Sequence, residues 1–188
     1  MEFQALELPG LVEIRPRRIK DERGYFSETF RSDRFTDHVG PLRFVQDNES
    51  LNIRAGTVRG LHFQCAPFSQ GKLVRCLAGS IFDVAVDLRV DSPTFRRWLS
   101  LVLSPEKNNQ LWVPAGFAHG FCTLEANSIL SYRVTEYYSS DHDAGVAWDD
   151  PDIAIDWPSV ADADTLSDRD RTQPRLADLP PRFSMEDH

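Results

Sequence analysis

At 188 residues with a formal net charge of -8, the chain has enough length for one substantial hydrophobic core, and its acidic balance excludes a nucleic-acid backbone as the main partner. Any anionic ligand has to be met by locally placed arginines, because the protein as a whole repels it. No run reaches the roughly 18 apolar residues of a membrane span, the start has no leader pattern, and Cys65, Cys76 and Cys122 form no C-x-x-C pair, so the sequence reads as a soluble, cytoplasmic protein with reduced thiols that makes no use of membrane or nucleic acid.

In chain order, a short helical turn is predicted at 33–38. From about residue 44 to 138, β-branched and aromatic runs alternate with Gly, Pro, Asn and Asp, the punctuation of an all-β sandwich or barrel. Strands are predicted at 58–64, 72–77, 81–88, 98–103, 110–113, 120–124 and 128–135. In 81–88, Phe82, Val84, Val86 and Leu88 share one apolar face, while Asp83, Ala85 and Asp87 share a face with a polar task or water. The turn at Ala78, Gly79 and Ser80 predicts that 72–77 and 81–88 pair as a hairpin. After Pro158, Ser167 is placed to cap a helical turn containing Asp168, Arg169 and Asp170. The tail from 174 to 188, with Pro180 and Pro181, is predicted irregular, and with no repeat or low-complexity linker the whole of 1–188 reads as a single domain.

Three strand-like segments hold clusters of polar residues. The first joins Gln46 and Asn48 to 58–64, where period two puts His62 and Gln64 on one face and Leu61 and Phe63 on the other. A histidine in a barrel mouth is a natural proton acceptor near neutrality, although a lone one is more often a hydrogen-bonded core residue. The second segment places Lys72 directly after a glycine at a strand start, where its charge could hold a developing oxyanion or simply be solvated at an edge. The third surrounds His119 with a proline and glycines.

Two histidines in a β-barrel raise the question of a metal. Pro114, Gly116 and His119 resemble the second motif of the cupins, but the first motif, H-x-H followed by Glu, is broken: Gln64 replaces the second histidine and no glutamate follows before Glu106. Two imidazoles without a matching carboxylate make a poor transition-metal cage, so no metal and no other cofactor is expected.

Seven blocks then occur in order: DERGYFSE at 21–28, FVQDNES at 44–50, RGLHFQ at 59–64, QGKLVR at 70–75, FDVAVDLR at 82–89, SPTF at 92–95 and GFAHGF at 116–121. Together, over about residues 8 to 178, they resemble the dTDP-4-dehydrorhamnose 3,5-epimerase family. The resemblance implies an all-β, cupin-type double-stranded β-helix, or jelly roll, with a few short helices near the C-terminus. It implies inversion at C3 and C5 of dTDP-4-dehydro-6-deoxy-D-glucose on the route to dTDP-L-rhamnose, as in lipopolysaccharide synthesis. His62 would be the base, Asp170 its carboxylate partner with Asp83 assisting, Lys72 the enolate stabiliser and Tyr132 the proton donor. Arg23, Phe26, Glu28, Gln46, Asn48, Arg59, His119, Tyr138, Asp143 and Arg169 would bind the nucleotide sugar, Phe26 and Tyr138 by covering the thymine. Asp143 stands where the family usually has Glu and Arg169 where Lys is common. The family is a homodimer, which implies that the N-terminal strands, roughly 1–45, are exchanged at the interface, bringing Arg23 to Glu28 to the partner's pocket and covering Leu61 and Phe63. Relatives with the same residues invert only C3 or only C5 for antibiotic sugars. A non-catalytic sugar-nucleotide binder would have lost His62, Lys72 or Tyr132, and a metal-dependent cupin would declare itself in elemental analysis.

Overall fold

The structure is a computed structural model that describes residues 1–180 and 183–185; Pro181 and the final residues of the predicted tail lie outside the described residues. Two antiparallel sheets face each other. The first contains β1 (Glu2–Ala5), β2 (Val12–Arg15), β5 (Gln46–Asn52), β7 (Lys72–Ala78), β10 (Gln110–Val113) and β12 (Ser128–Val134), in the order β1-β2-β10-β7-β12-β5. The second contains β6 (Val58–Gln64), β8 (Ile81–Asp87), β9 (Trp98–Leu103), β11 (Phe117–Thr123) and β13 (Asp143–Gly145), in the order β13-β6-β11-β8-β9. A separate hairpin pairs β3 (Arg18–Asp21) with β4 (Gly24–Ser27). The helices are short: α1 (Ser32–His38), α2 (Asp168–Arg171) and single 3-10 turns at Ala163–Thr165 and Leu176–Asp178. This is the jelly roll expected from the sequence, and no helix among the described residues is long and apolar enough to cross a membrane.

The alternation along each strand fills three layers. Val74, Cys76, Ala85, Leu111, Val113, Phe121 and Leu130 pack between the sheets. Leu61, Phe63, Val84, Val86 and Ala118 pack on the outer face of the second sheet against Val146, Ile153 and Phe183. On the outer face of the first sheet, Val12, Ile14, Leu73 and Trp112 pack beneath Phe35 of α1 and the rings of Phe30 and Phe44. Each fully buried aliphatic or aromatic side chain contributes about 1.5–3 kcal/mol relative to leaving it in water.

Several expectations change. β7 and β8 do not form a hairpin: β7 lies between β10 and β12, whereas β8 lies between β11 and β9. Both hydrogen-bonding edges of β7 are already occupied, so the turn carries the chain from one sheet to the other. Gly79 makes that crossing at φ +71, where an added Cβ would collide with Ser128. The Asp83 and Ala85 face of β8 is as buried as the Val84 and Val86 face, because it points between two sheets rather than to water. Leu61 and Phe63 are covered by the chain's own C-terminal segment, with Phe183 edge-on to Phe63 at 5.5 Å. That segment is therefore less irregular than predicted, since it contains the 3-10 turn and a bridge from Phe183 to Arg89. β1 and β2 pair within their own sheet through β10, so only the β3–β4 hairpin stands apart from both sheets.

Candidate active site

One end of the space between the sheets is lined by polar side chains from both. β6 and β11 come close enough there that a Cβ on Gly60 would approach the Cα of Gly120 to 2.6 Å, and the register places His62 opposite His119. Glycine at both positions lets two histidines sit side by side on one inner face. Gly71, just before Lys72, lies flat against Trp112, where a Cβ would collide with the indole.

His62 Nε2 lies 2.6 Å from Asp170 Oδ1, with the imidazole 31% exposed and the carboxylate 4% exposed. Asp170 sits in α2, where its backbone N–H is accepted by the Ser167 cap, 3.1 Å away. Burial alone would raise the Asp170 pKa, but hydrogen bonds from His62, Ser167 and the Gly60 backbone outweigh it and hold the carboxyl below its ordinary value. An ionised carboxylate can only accept, so the ring proton is held on Nε2 and the lone pair is left on Nδ1.

Asp83 does not assist His62 as the sequence suggested. It accepts from His119 Nε2 at 2.8 Å, with both side chains buried, because Asp83 on β8 points at the strand next to it, β11. Its other oxygen is buried without a hydrogen-bond partner. Lys72, half-buried, reaches to 3.4 Å from the His62 carbonyl and interacts with Asp83 and Asp143. Burial pushes the Lys72 ammonium down to about 8, against the opposing pull of those two carboxylates and with help from Arg169. Tyr132, opposite Asn48 in the β12–β5 register, has its pKa raised first by burial and then by the charge of Asp143, while the Arg59 charge opposes. Its phenol stays protonated at neutral pH.

The rim is formed by β13, α2 and the loop before β13. Asp143 is paired with Arg169 at 2.5 Å, and both reach the exposed Tyr138. Two residues far apart in the sequence, Asp143 and Arg169, are thus each other's partners. Gln46 donates to Asn48 at 2.8 Å and accepts from the Tyr138 N–H at 3.2 Å, while Arg59 donates to Asn52 at 2.8 Å. Arg23, Phe26 and Glu28 are not brought to this mouth. They lie on or just after the β3–β4 hairpin, where Arg23 is paired with Asp21 and Phe26 is 70% exposed. The strand period groups Gln64 with His62 on one face, and the broken metal motif marks it again, but neither signal assigns it a role at the site. Among the described residues, no three His, Cys, Asp or Glu side chains converge as a metal cage requires.

A β-sandwich that carries a carboxylate-backed histidine, a desolvated lysine and a protonated tyrosine has the groups of a jelly-roll isomerase, a class that moves protons at an acidified carbon. The chain belongs to the dTDP-4-dehydrorhamnose 3,5-epimerase family, whose model matches residues 5–178. It is 56% identical over 183 residues to the dTDP-4-dehydrorhamnose 3,5-epimerase of Sinorhizobium fredii, covering 97% of this chain and 93% of that one. It is also similar to the crystal structure of a dTDP-6-deoxy-D-glucose-3,5-epimerase from Legionella pneumophila in complex with dTDP-4-keto-L-rhamnose, with a TM-score of 0.90 and 40% identity over 97% of this chain and 98% of that one. A 4-keto-6-deoxy sugar epimerase from the novobiocin gene cluster of Streptomyces spheroides superposes with a TM-score of 0.93 at 36% identity, covering 100% of this chain and 94% of that one.

Proposed function

We propose that this chain inverts C3 and C5 of dTDP-4-dehydro-6-deoxy-D-glucose, giving dTDP-4-dehydro-L-rhamnose. The C4 ketone acidifies the hydrogens on both neighbouring carbons. His62 Nδ1 takes such a proton, and the C–H electron pair moves onto the C4 oxygen as an enolate, which the Lys72 ammonium holds. Tyr132 returns a proton to the opposite face of the same carbon, and solvent resets both groups. The observation that carries this reading is the His62–Asp170 pair, open on the histidine side only, beside the half-buried Lys72. The names of the relatives support the same substrate class.

Gln46, Asn48, Arg59, His119, Tyr138, Asp143 and Arg169 bind the nucleotide sugar, with Arg59 suited to pyrophosphate and Tyr138 to stacking on the base. Arg23, Phe26 and Glu28 serve the pocket of a partner in a homodimer. Supporting this are the free-standing hairpin, its exposed Ile19, Tyr25 and Phe26, and the cavity of about 520 Å³ between Phe30, Phe44 and Arg133 beside the outer face of the first sheet. Sedimentation showing a monomer at micromolar concentration would reject the dimer. The free Cys65, Cys76 and Cys122 fit a reducing compartment, the cytoplasm.

The test is incubation with dTDP-4-keto-6-deoxyglucose in D₂O, following the C3 and C5 protons by NMR. Exchange with inversion at both carbons is expected. Exchange at one carbon alone would assign the chain to the single-site epimerases, and no exchange would sink the substrate.

A further inference from the structure

The loop between β12 and β13 has every residue from 135 to 139 tied through its backbone. Thr135 N–H donates to the Gly71 carbonyl at 3.1 Å, and Gln70 Nε2 donates to the Glu136 carbonyl at 2.7 Å. Gln64 Nε2 donates to the Tyr137 carbonyl at 3.1 Å, Gln46 Oε1 accepts from Tyr138 N–H at 3.2 Å, and Gln64 Oε1 accepts from Ser139 N–H at 2.7 Å. Gln64 thus holds the chain on both sides of Tyr138. Its other amide hydrogen goes to the Phe68 carbonyl at 2.7 Å, so a single side chain joins this loop to the one between β6 and β7.

Gln64 is 4% exposed and both its donors are engaged, so it has no hydrogen to offer a substrate. Tyr138 presents the opposite case. It is 57% exposed, with its hydroxyl at Asp143 and Arg169 but little packing against its ring. With little packing around it, such a ring is preorganised by its backbone as well as by the contacts of its hydroxyl, and preorganisation determines how much of a stacking contact survives as affinity. We infer that Gln64 is a positioning residue for nucleotide binding, which acts by fixing the Tyr138 backbone so that the ring is poised to receive the base. The position that could have held a second metal-binding histidine instead organises the rim of the site. This inference rests on the reading of Tyr138 as a base-stacking residue.

The experiment is a double-mutant cycle read by calorimetric binding of dTDP and by steady-state kinetics, with Tyr138→Ala, Gln64→Ala, Gln64→Glu and the Tyr138→Ala/Gln64→Ala pair. Tyr138→Ala is expected to weaken dTDP about 10-fold, the scale of one aromatic-base stack. Gln64→Ala should weaken it about 5-fold in the native background and less than about twofold in the Tyr138→Ala background, since a group acting through another has no separate effect once that other is gone. The loss should fall on KM rather than kcat, which a general loss of folded protein would not produce. Gln64→Glu, which retains the shape, covers the case in which the alanine variant does not fold. Its dTDP affinity should recover as the pH is lowered and the carboxyl regains a hydrogen to donate to Phe68 or Tyr137. If Tyr138→Ala weakens dTDP while both Gln64 variants bind normally, or if the Gln64→Ala loss is the same in both backgrounds, the positioning role is overturned. If Tyr138→Ala itself leaves dTDP binding unchanged, the stacking reading beneath it falls.

Discussion

Two histidines on neighbouring strands are each paired with an aspartate, and the two pairs differ in what surrounds them. His62 is open to the mouth, and Asp170 behind it is also satisfied by Ser167 and the Gly60 backbone. His119 and Asp83 are both buried, and Asp83 has no other hydrogen-bond partner. The same two functional groups therefore suit different work. A half-exposed imidazole with a well-held carboxylate can exchange a proton with a substrate and with water, whereas a nearly sealed pair can hold a shape, a charge and a substrate group but has little access to water for proton exchange.

The largest expected effect separates the two pairs. His62→Ala should lower deuterium exchange into substrate by roughly 10²–10⁴-fold, while denaturant unfolding shows nearly unchanged stability because Asp170 keeps its other partners. His119→Ala should instead strand a buried carboxylate and cost about 3–5 kcal/mol of unfolding free energy. If the stability losses came out the other way round, the distinction between an open and a sealed pair would be wrong.

Tyr132→Phe sharpens the base side of the comparison. Inversion, followed by NMR, should slow by about 10²-fold or more, while exchange on the His62 side persists. Lys72→Met should lower turnover by about 10²–10³-fold, the usual cost of losing one oxyanion donor. The native rate should also fall as pH rises through about 8, where Lys72 loses its charge. The sign for stability is opposite. An unfolded lysine keeps its proton to about 10.5, so between pH 8 and 10.5 folding releases a proton and stability rises with pH. Below pH 8 the folded protein carries the burial penalty of a charged Lys72, and Lys72→Met should therefore be more stable than the native chain by thermal melting. The smallest effect is expected of Ser167→Ala, which removes the cap of α2 and one support of Asp170, costing about 1 kcal/mol with a modest loss of turnover.

The chain's own pattern determined a great deal. Alternation and turn residues located β6, β7, β8, β9 and β10 to within a residue at each end, and the Ser167 cap was legible because a capping hydroxyl acts within one turn of its own helix. The period of two also placed His62 and Gln64 together on an inward face. The short strands β1 to β4 and β13 were not individually legible, because a strand of three or four residues is stabilised by its neighbours more than by its own composition.

Pairing was decided only in three dimensions. Strand period says which side chains share a face but not which strand lies alongside, so β7 and β8 passed for a hairpin although they belong to opposite sheets. For the same reason Asp83 was assigned to the wrong histidine: its partner is fixed by the β8–β11 register, not by sequence distance. The pairing of Asp143 with Arg169, and the way Gln64 holds both sides of Tyr138, likewise depend on β13 and α2 folding back onto β6. The sequence sets the types of group and the face each one occupies, because these follow from local geometry. Which groups become partners follows from long-range closure of the two sheets, and that closure arises from burying a shared core.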